Sequence, residues 1–415
     1  MPTSSSQDNA RRTLFLLWGV FAIAQLDRQI FSLSLDAIST EFGLSDWQLG
    51  LLSGFAFALV FVLVGFPVAA LCARYNRRNI VSTSVFVWSS FIIAMAFAQS
   101  FVALFMARVG IGAGEAGAVA PAHSIISDLF PERKRASALS TFATGANFGI
   151  LLAALIGGVI GQFYGWRVAF VVAGFPGIIV AVLLYRYGTE PPRSKMPDGV
   201  SVFSVFTASF KAIMSDPGTR FALLAFMMIG IMTFAMLAWI PTLLIRQYGI
   251  DVAQVGLIGV FAAGFVGAAG TYLCGQAIDR VGLRQPRYRI YGIIVTIIAH
   301  TMLGITFLLS QTLWIGVVFF AMSSFFAIAF WGPTFAFVYG RVESHLRPMA
   351  TAFFLLSFNL IGMAVGPTLV GGLSDTLFSN SGALSLGYAL LVIKVFAIAS
   401  VWFYYKMAMT IPRLP

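Results

Sequence analysis

Two pairs of ionisable residues stand inside stretches that are otherwise apolar. Asp27 and Arg28 are adjacent in the first stretch, and Arg108 and Glu115 lie seven residues apart in a later one. Seven residues make two turns of an α-helix, so Arg108 and Glu115 share one helical face. A carboxylate buried beside a guanidinium can take up and release a proton, and the guanidinium can bind an anion. The alternative is a structural cluster in which Asp27 pairs with Arg108 and joins two helices.

The elements that position these residues are predicted to be membrane-spanning helices. Of 415 residues, 59% are hydrophobic and only 10% are charged, whereas a soluble domain has about 25% charged residues. A spanning helix needs about 20 mostly apolar residues. Dividing the chain at its polar breaks predicts twelve spans: 13–35, 48–72, 79–99, 101–126, 137–162, 166–187, 219–245, 254–278, 288–309, 312–340, 350–373 and 386–408.

Five ionisable side chains fall deep inside these spans, namely the two pairs and Lys394. Each costs about 2.5 to 3.5 kcal/mol in hydrocarbon, so each needs a partner, a cavity or a function. Counting the helical rise of 1.5 Å per residue places Asp27 and Arg108 at a similar depth. Arg28 points about 100° away from Asp27 around the helix. We expect Lys394 to reach toward the outer membrane face.

The basic residues set the predicted topology. The two ends and the even-numbered loops hold 21 Lys and Arg residues, against 2 in the odd-numbered loops, so both termini are predicted to be cytoplasmic. The net charge of +11 then reflects membrane topology, and no nucleic-acid partner is indicated. The predicted organisation is an all-α membrane protein with a six-helix half at 1–187, a cytoplasmic linker at 188–218 and a six-helix half at 219–415. The linker carries an amphipathic stretch at 202–214.

Each half has a basic loop after its second helix, which indicates an internal repeat of the kind that many transporters contain. The second-half loop contains Asp279-Arg280, and the first-half loop contains Ala73-Arg74 followed by Arg77. These loops resemble the signature of the major facilitator superfamily, roughly G-x-x-x-D-R-x-G-R-R. The resemblance covers essentially the whole chain and implies two pseudo-symmetric halves.

The first-half loop departs from that signature, because Ala73 replaces its Asp, while Ala69 and Asn76 replace its glycines. On the signature alone, Asp279→Asn should impair transport and Ala73→Asp should be tolerated. The resemblance implies a cytoplasmic gate formed by Arg74, Arg77, Asp279 and Arg280.

Two further stretches resemble the spinster-type branch, which is close to the anion:cation symporter family. They are Leu26-Asp27-Arg28-Gln29 and the segment from Arg108 to Pro131, which includes Glu115 and His123. The resemblance implies that Asp27, Arg108 and Glu115 couple transport to protons. It also implies that Arg28 and Arg108 contact the substrate, with His123 at the cytoplasmic gate.

The seventh and tenth spans should line the substrate cavity if the superfamily arrangement holds. They contain no deep charge and instead provide aromatic and Met side chains, which are more often packing residues than ligands. Taken as a set, they favour a substrate with an apolar or aromatic part. The predicted substrate contacts of these spans are Trp239, Phe326, Phe330 and Trp331.

The leading hypothesis is proton-coupled transport of an amphiphilic or aromatic organic anion by alternating access. The alternatives are spinster-type movement of a lysolipid or sphingolipid, and a receptor built on a transporter fold. No phosphate-binding loop, metal-ligand cluster or nucleophile elbow is present in the sequence, which argues against an enzyme and against a bound cofactor or metal. We therefore expect a multi-pass monomer of the bacterial inner membrane, with protons, substrate and lipid as its partners.

Overall fold

The computed structural model describes residues 4–192, 202–283, 285–343 and 346–412. In these ranges, eleven helical stretches are long and apolar enough to cross a membrane. One of them, Ser137–Tyr187, has 51 residues and would extend about 77 Å, more than twice the ~30 Å hydrocarbon core. Gly165, with φ 83° and ψ 161°, breaks this stretch in two. The stretches therefore make twelve crossings, as the sequence predicts.

The first six helices belong to the first half of the chain. The second contains a π-helical turn, the fourth is interrupted, and the fifth ends in a longer π-helical segment. Their bounds are α1, Ser4–Phe42; α2, Asp46–Gly50 with the π-helical Leu51–Phe55 and Ala56–Arg74; α3, Arg77–Met95; α4, Phe101–Glu115 and Val119–Leu129; α5, Glu132–Ala153 with the π-helical Ala154–Ile160; and α6, the part of Gly161–Tyr187 that follows Gly165.

The other six helices repeat these features. Again the second contains a π-helical segment and the fourth is interrupted. Their bounds are α7, Pro217–Tyr248; α8, Val252–Gly259 with the π-helical Val260–Val266 and Gly267–Gly282; α9, Pro286–Leu309; α10, Leu313–Phe326 and Trp331–Arg341; α11, Arg347–Thr376; and α12, Ser385–Met409.

The internal repeat is visible in the local backbone. In the described ranges, all residues with positive φ are glycines, and they occur at corresponding places. Gly43 and Gly249 follow α1 and α7, where the left-handed conformation ends a helix at little steric cost. Gly165 and Gly382 precede α6 and α12. These matched turns confirm the two pseudo-symmetric six-helix halves.

Two compact units are formed, Met1–Ser194 with Ile250–Leu257 and Lys195–Gly249 with Ile258–Pro415. We call them the N-terminal and C-terminal units. Within the first, α1 packs against α5 and α6, and α3 packs against α4 and α6; within the second, α7 packs against α11 and α12, and α9 packs against α10 and α12. The same pairs of helices therefore form the core of each unit.

The predicted amphipathic stretch of the linker is helical. This linker helix runs from Val202 to Ser215. Its Ser209 is buried, and the ring of Phe210 lies 5.7 Å from that of Phe353 on α11. Part of the predicted linker, 193–201, lies outside the described residues. Asp216 then caps the first turn of α7 through the N–H of Thr219.

Candidate functional site

A buried ion pair joins α1 to α4. Arg108 Nη1 donates to Asp27 Oδ2 at 3.1 Å, and the two side chains are 2% and 0% exposed. This is the pairing that the sequence analysis considered both as a proton site and as a structural link. Removing one partner of such a pair leaves an uncompensated charge, at a cost of about 3 to 5 kcal/mol.

The π-helical turn of α2 provides a second acceptor for Arg108. In this turn the N–H of Ala56 bonds to Leu51 O, whereas an α-helix would direct it to Leu52 O. Leu52 O instead accepts a hydrogen bond from Arg108 Nε at 3.2 Å. The guanidinium also lies over the ring of Phe31, with Cζ 4.1 Å from its centroid. Single π-helical turns are frequent at functional sites, and this one holds Arg108 in a fixed orientation.

A second ion pair, which the sequence analysis did not foresee, connects Arg28 to Glu115. Arg28 Nη2 donates to Glu115 Oε2 at 2.6 Å; the arginine side chain is 20% exposed and the glutamate 2%. The Arg28 guanidinium lies 5.3 Å from the Phe57 ring centroid. Asp27 and Arg28 point in different directions from α1, yet both form ion pairs with side chains of α4. The sequence contained one signal for this second pair, namely the order of the charges. On α1 the acid precedes the base, whereas on α4 the base precedes the acid.

Each of the two carboxylates keeps one oxygen without a hydrogen bond. Asp27 Oδ1 and Glu115 Oε1 are buried and have no partner among the described residues, and the same is true of Arg28 Nε. An unbonded buried acceptor is costly, about 1 to 3 kcal/mol. A proton on either oxygen would remove the charge of that carboxylate. Each acid therefore has one buried acceptor oxygen whose desolvation no hydrogen bond offsets in the described structure.

The glycines of α4 allow neighbouring helices to approach the ion pairs. A Cβ on Gly112 would lie 2.6 Å from Phe57 O, and one on Gly114 would lie 2.7 Å from Trp88 Cβ. Real Cβ atoms do not come so close to backbone or side-chain atoms. These glycines consequently serve helix packing.

The predicted aromatic contacts of α7 and α10 occupy two environments. Trp239 is fully buried and its indole N–H donates to Pro367 O at 2.9 Å, and Phe330 is buried against Phe226. Phe326 and Trp331 are half-buried. Of these four residues, Phe326 and Trp331 are therefore the two that are not fully packed into the interior.

The expectation that Lys394 reaches toward the outer face is wrong. Lys394 is the tenth residue of α12, about 14 Å from the start of that helix. Lys394 is 2% exposed, and Nζ has no hydrogen-bond partner in the described structure. Gly304 of α9 makes room for it, because a Cβ there would lie 2.6 Å from Nζ. A side chain that snorkels needs a helix end nearby, and Lys394 is too far inside.

The first-half basic loop has a dense set of contacts. Arg77 donates from Nη1 to Asp128 at 2.6 Å and to Ser124 at 2.7 Å, and from Nε to Glu190 at 2.9 Å. Glu190 also accepts from the backbone N–H of Arg78 at 2.8 Å. Although Ala73 replaces the Asp of the family signature, Asp128 and Glu190 therefore supply carboxylates to this loop. Because Glu190 follows α6 and is distant in sequence, the loop pattern could not predict it.

The second-half loop is less well connected, although it matches the family signature better. Asp279 is 64% exposed, and its nearest described cation is Arg289 Nε at 3.5 Å. Arg74, Arg280 and His123 are exposed, and the His123 ring lies edge-on to Phe142 with centroids 5.1 Å apart. Arg284, the next basic residue of the loop, lies outside the described residues.

Known proteins resemble this chain over most of its length. A sequence profile of the Major Facilitator Superfamily matches residues 17–303. An MFS-type efflux pump of Mycolicibacterium smegmatis is 26% identical over 395 residues, covering 94% of this chain and 91% of the relative. A hexuronate transporter of Bacillus subtilis is 26% identical, with 95% and 94% covered. A cis,cis-muconate transport protein of Acinetobacter baylyi is 27% identical, with 62% and 63% covered.

Solved structures agree with this similarity. A bacterial homologue of the human lysosomal transporter Spinster, in an inward-facing and unoccupied conformation, has a TM-score of 0.86 at 24% identity and covers 97% of this chain and 98% of its own. Its occupied form has a TM-score of 0.80 at 25% identity, with 96% of both chains covered. The spinster-like resemblance is confirmed, and relatives named as transporters make this chain a transporter and not an enzyme. With its twelve crossings, its repeated halves and the profile match, the chain belongs to the Major Facilitator Superfamily.

Proposed function

We propose that this multi-pass membrane protein couples the transport of a small organic anion to the movement of protons. The observation that carries the proposal is the pair of buried ion pairs, Asp27 with Arg108 and Arg28 with Glu115, whose carboxylates each keep an unbonded oxygen. Ionisable groups at this depth are expensive, and in transporters they mark ion and substrate pathways.

The ion pairs suggest how proton and anion binding depend on each other. A proton on Glu115 cancels the charge that holds Arg28, and one on Asp27 cancels the charge that holds Arg108. The released guanidinium then offers two N–H groups in the fork geometry that a carboxylate accepts. Loss of the proton restores the ion pair and displaces the anion. In this scheme Asp27 and Glu115 bind protons, while Arg28 and Arg108 bind the anion.

The substrate class follows from charge and from the names of the relatives. The hexuronate and cis,cis-muconate carriers are named for organic acids, which supports a carboxylate as the charged part. In the C-terminal unit we assign the contact with an apolar part to the half-buried Phe326 and Trp331. We do not assign Trp239 and Phe330, because packing already buries their rings.

A lipid-like substrate is the second candidate, favoured by the likeness to the Spinster homologue. A lysolipid combines a charged head with a long apolar chain, and so would use the same arginines. Thermal stabilisation of the purified protein by sugar acids, aromatic acids and lysolipids separates the two candidates. Stabilisation by lysolipid alone would replace the organic anion in this proposal.

We assign the cytoplasmic gate to Arg74, Arg77, Asp279, Arg280 and His123. We also propose that both termini lie on the cytoplasmic side and that the protein works as a monomer. Reporter fusions after the last residue test the orientation. An extracellular signal from such a fusion would reverse it.

The proposed coupling is tested by uptake into proteoliposomes with and without an imposed pH gradient, together with counterflow in the absence of a gradient. Asp27→Asn and Glu115→Gln keep the side-chain shape but cannot titrate. We expect both to lose gradient-driven accumulation by at least about tenfold and to retain part of the counterflow. Asp36→Asn, which removes a carboxylate nine residues further along α1, is the matched control. Full accumulation by both test variants would exclude these acids as the proton path.

A further inference from the structure

Three polar side chains meet inside the C-terminal unit, away from any residue assigned above. They are His300 on α9, Ser323 on α10 and Lys394 on α12. Ser323 is 3% exposed and Lys394 is 2% exposed. Lys394 Nζ and Ser323 Oγ lie 2.6 and 3.3 Å from the same point, the place of a Cβ on Gly304. Glycine at 304 is what lets the lysine enter.

The hydrogen bonds of His300 indicate which ring nitrogen is available. Ser323 Oγ donates to the backbone carbonyl of His300 at 2.9 Å. His300 Nδ1 lies 2.9 Å from Ser323 O, and because a carbonyl only accepts, Nδ1 carries the hydrogen. In the neutral ring Nε2 is then the basic atom. Ser323 Oγ, which lies 2.9 Å from His300 Nδ1, connects the imidazole to the place beside Gly304 where Lys394 Nζ lies.

Lys394 has no counter-ion at its depth. The helices that pack against α12 are α7, α9 and α11, and Asp375 is the only carboxylate in the sequence of these helices and of α10. Asp375 lies in the last turn of α11, which precedes α12, whereas Lys394 is about 14 Å along α12. The other titratable residues of these helices are Arg220, Arg246, Tyr248, Arg287, Tyr288, Arg289, Tyr291, Tyr339, Arg341, Arg347, Tyr388, Tyr404, Tyr405 and Lys406.

These facts leave few states for the cluster. A permanent ammonium would need an acceptor, and Nζ has none in the described structure. Two cations, one on Lys394 and one on His300, would repel each other in a medium of low dielectric constant. A lysine differs from an arginine in that it can give up its proton when buried. The pair is therefore suited to two states. In one, Lys394 and His300 are both neutral; in the other, one of them carries an additional proton.

We propose that Lys394 and His300 form a proton-binding site in the C-terminal unit, separate from Asp27 and Glu115, with Ser323 fixing the imidazole. The site takes up one proton, on either Lys394 Nζ or His300 Nε2, and the charge of the first proton opposes a second. Since α10 carries Phe326 and Trp331 a few residues after Ser323, the charge of this site acts on the helix that we assign to the apolar part of the substrate.

Potentiometric difference titration of the purified protein, from about pH 5 to about pH 9, tests the site without any transport assay. Lys394→Arg should bind about one proton fewer than the unmodified protein, because arginine stays charged and its charge opposes protonation of His300. Lys394→Met leaves His300 as the remaining acceptor of the pair, so the midpoint of proton uptake should shift. Lys406→Met is the matched control, since Lys406 is an exposed lysine on the same helix, beside Trp402. It should leave the titration unchanged.

The imidazole has its own test. His300→Asn preserves an N–H donor toward Ser323 O but removes the basic nitrogen, so the midpoint of the proton uptake should move. An unmoved midpoint would remove His300 from the site. Equal proton uptake by the unmodified protein and Lys394→Arg, with unchanged thermal unfolding, would overturn the proposal.

The role of this site in transport rests on the proposed function. Proton-driven accumulation should fall several-fold in Lys394→Met and Lys394→Arg, while substrate-induced thermal stabilisation persists. If the unmodified protein accumulates no anion in response to a pH gradient, the proposed coupling fails, yet the titration still decides whether Lys394 and His300 bind a proton. Normal accumulation by both variants would mean that the proton on this site does not contribute to transport.

Discussion

The two units share one packing pattern but treat charge differently. The N-terminal unit matches each buried cation with a carboxylate, Arg108 with Asp27 and Arg28 with Glu115. The C-terminal unit leaves its buried Lys394 without a counter-ion. It surrounds Phe226 instead with the rings of Phe330, Trp331, Phe335, Phe354 and Phe358. A repeated fold can therefore carry two kinds of chemistry, because the helix pairs are set by small residues and turns, whereas the buried side chains remain free to diverge.

The largest effect is expected from breaking the central ion pair. Arg108→Ala leaves Asp27 buried without its cation, and should lower the free energy of unfolding by about 3 to 5 kcal/mol and abolish accumulation. Arg108→Lys keeps the charge but cannot hold both Asp27 and Leu52 O, so it should be intermediate. Thermal unfolding followed by tryptophan fluorescence, with uptake in parallel, measures both. Normal melting of Arg108→Ala would contradict the buried pairing.

A change in the aromatic cluster should lower stability without changing the pH dependence of transport. Phe226→Ala removes the ring at its centre and should cost about 3 to 5 kcal/mol in unfolding free energy, while the surviving protein keeps the pH dependence of transport. Phe265→Ala, at an exposed position of the π-helical segment of α8, is the control for loss of a ring and should melt normally. A changed pH profile in Phe226→Ala would show that the two kinds of chemistry are not separate.

The first-half basic loop matches the family signature less well than the second-half loop, but substitution in it should have the larger effect on stability and transport. Arg77→Ala removes three side-chain contacts and should cost about 1 to 3 kcal/mol, with slower counterflow. Asp279→Asn affects an exposed carboxylate with one long contact and should cost at most about 1 kcal/mol. Counterflow rates at matched expression compare the two loops. Greater impairment by Asp279→Asn would restore the ranking that the signature predicts.

The smallest effect concerns the start of α7. Burial opposes ionisation of Asp216, but hydrogen bonds from Thr219 and the charge of Arg341 outweigh it and hold the pKa of Asp216 below its ordinary value. Its stabilising contribution is complete above the unfolded pKa of about 3.9 and is lost as the pH falls through the lower folded value. Asp216→Ala should cost about 0.5 to 2 kcal/mol at neutral pH. The difference in melting temperature between the two proteins should shrink in acid; a constant difference would count against this cap.

The fold was largely predictable, because the number and length of the apolar spans can be counted directly in the sequence. The sequence also identifies Asp27, Arg108 and Glu115, since charges in apolar stretches are conspicuous. It does not show which charges pair. The contact between Arg28 and Glu115 depends on how α1 and α4 are rotated against each other, and side-chain spacing on one helix does not determine that rotation.

Other parts of the site depend on residues that are remote in the sequence. Glu190 reaches Arg77 across 113 positions, so the loop sequence contains no sign of it. Lys394 was expected to reach toward the outer membrane face, as a lysine in an apolar span commonly does. Gly304, on another helix, is what makes room for it inside the unit.

The π-helical turn at Leu51–Phe55 also has a consequence for comparing this chain with its relatives. Such a turn holds one residue more than the α-helical turn it replaces, and one residue corresponds to about 100° around a helix. If a relative lacks the turn, an ungapped alignment of α2 assigns every later residue to the wrong face. Deleting a single residue between Leu51 and Phe55 should likewise rotate Phe57 away from the two guanidinium groups that it contacts, 5.3 and 5.5 Å from its ring centroid. A deletion one residue long would thus disturb the site more than many substitutions, while leaving the composition of the helix almost unchanged.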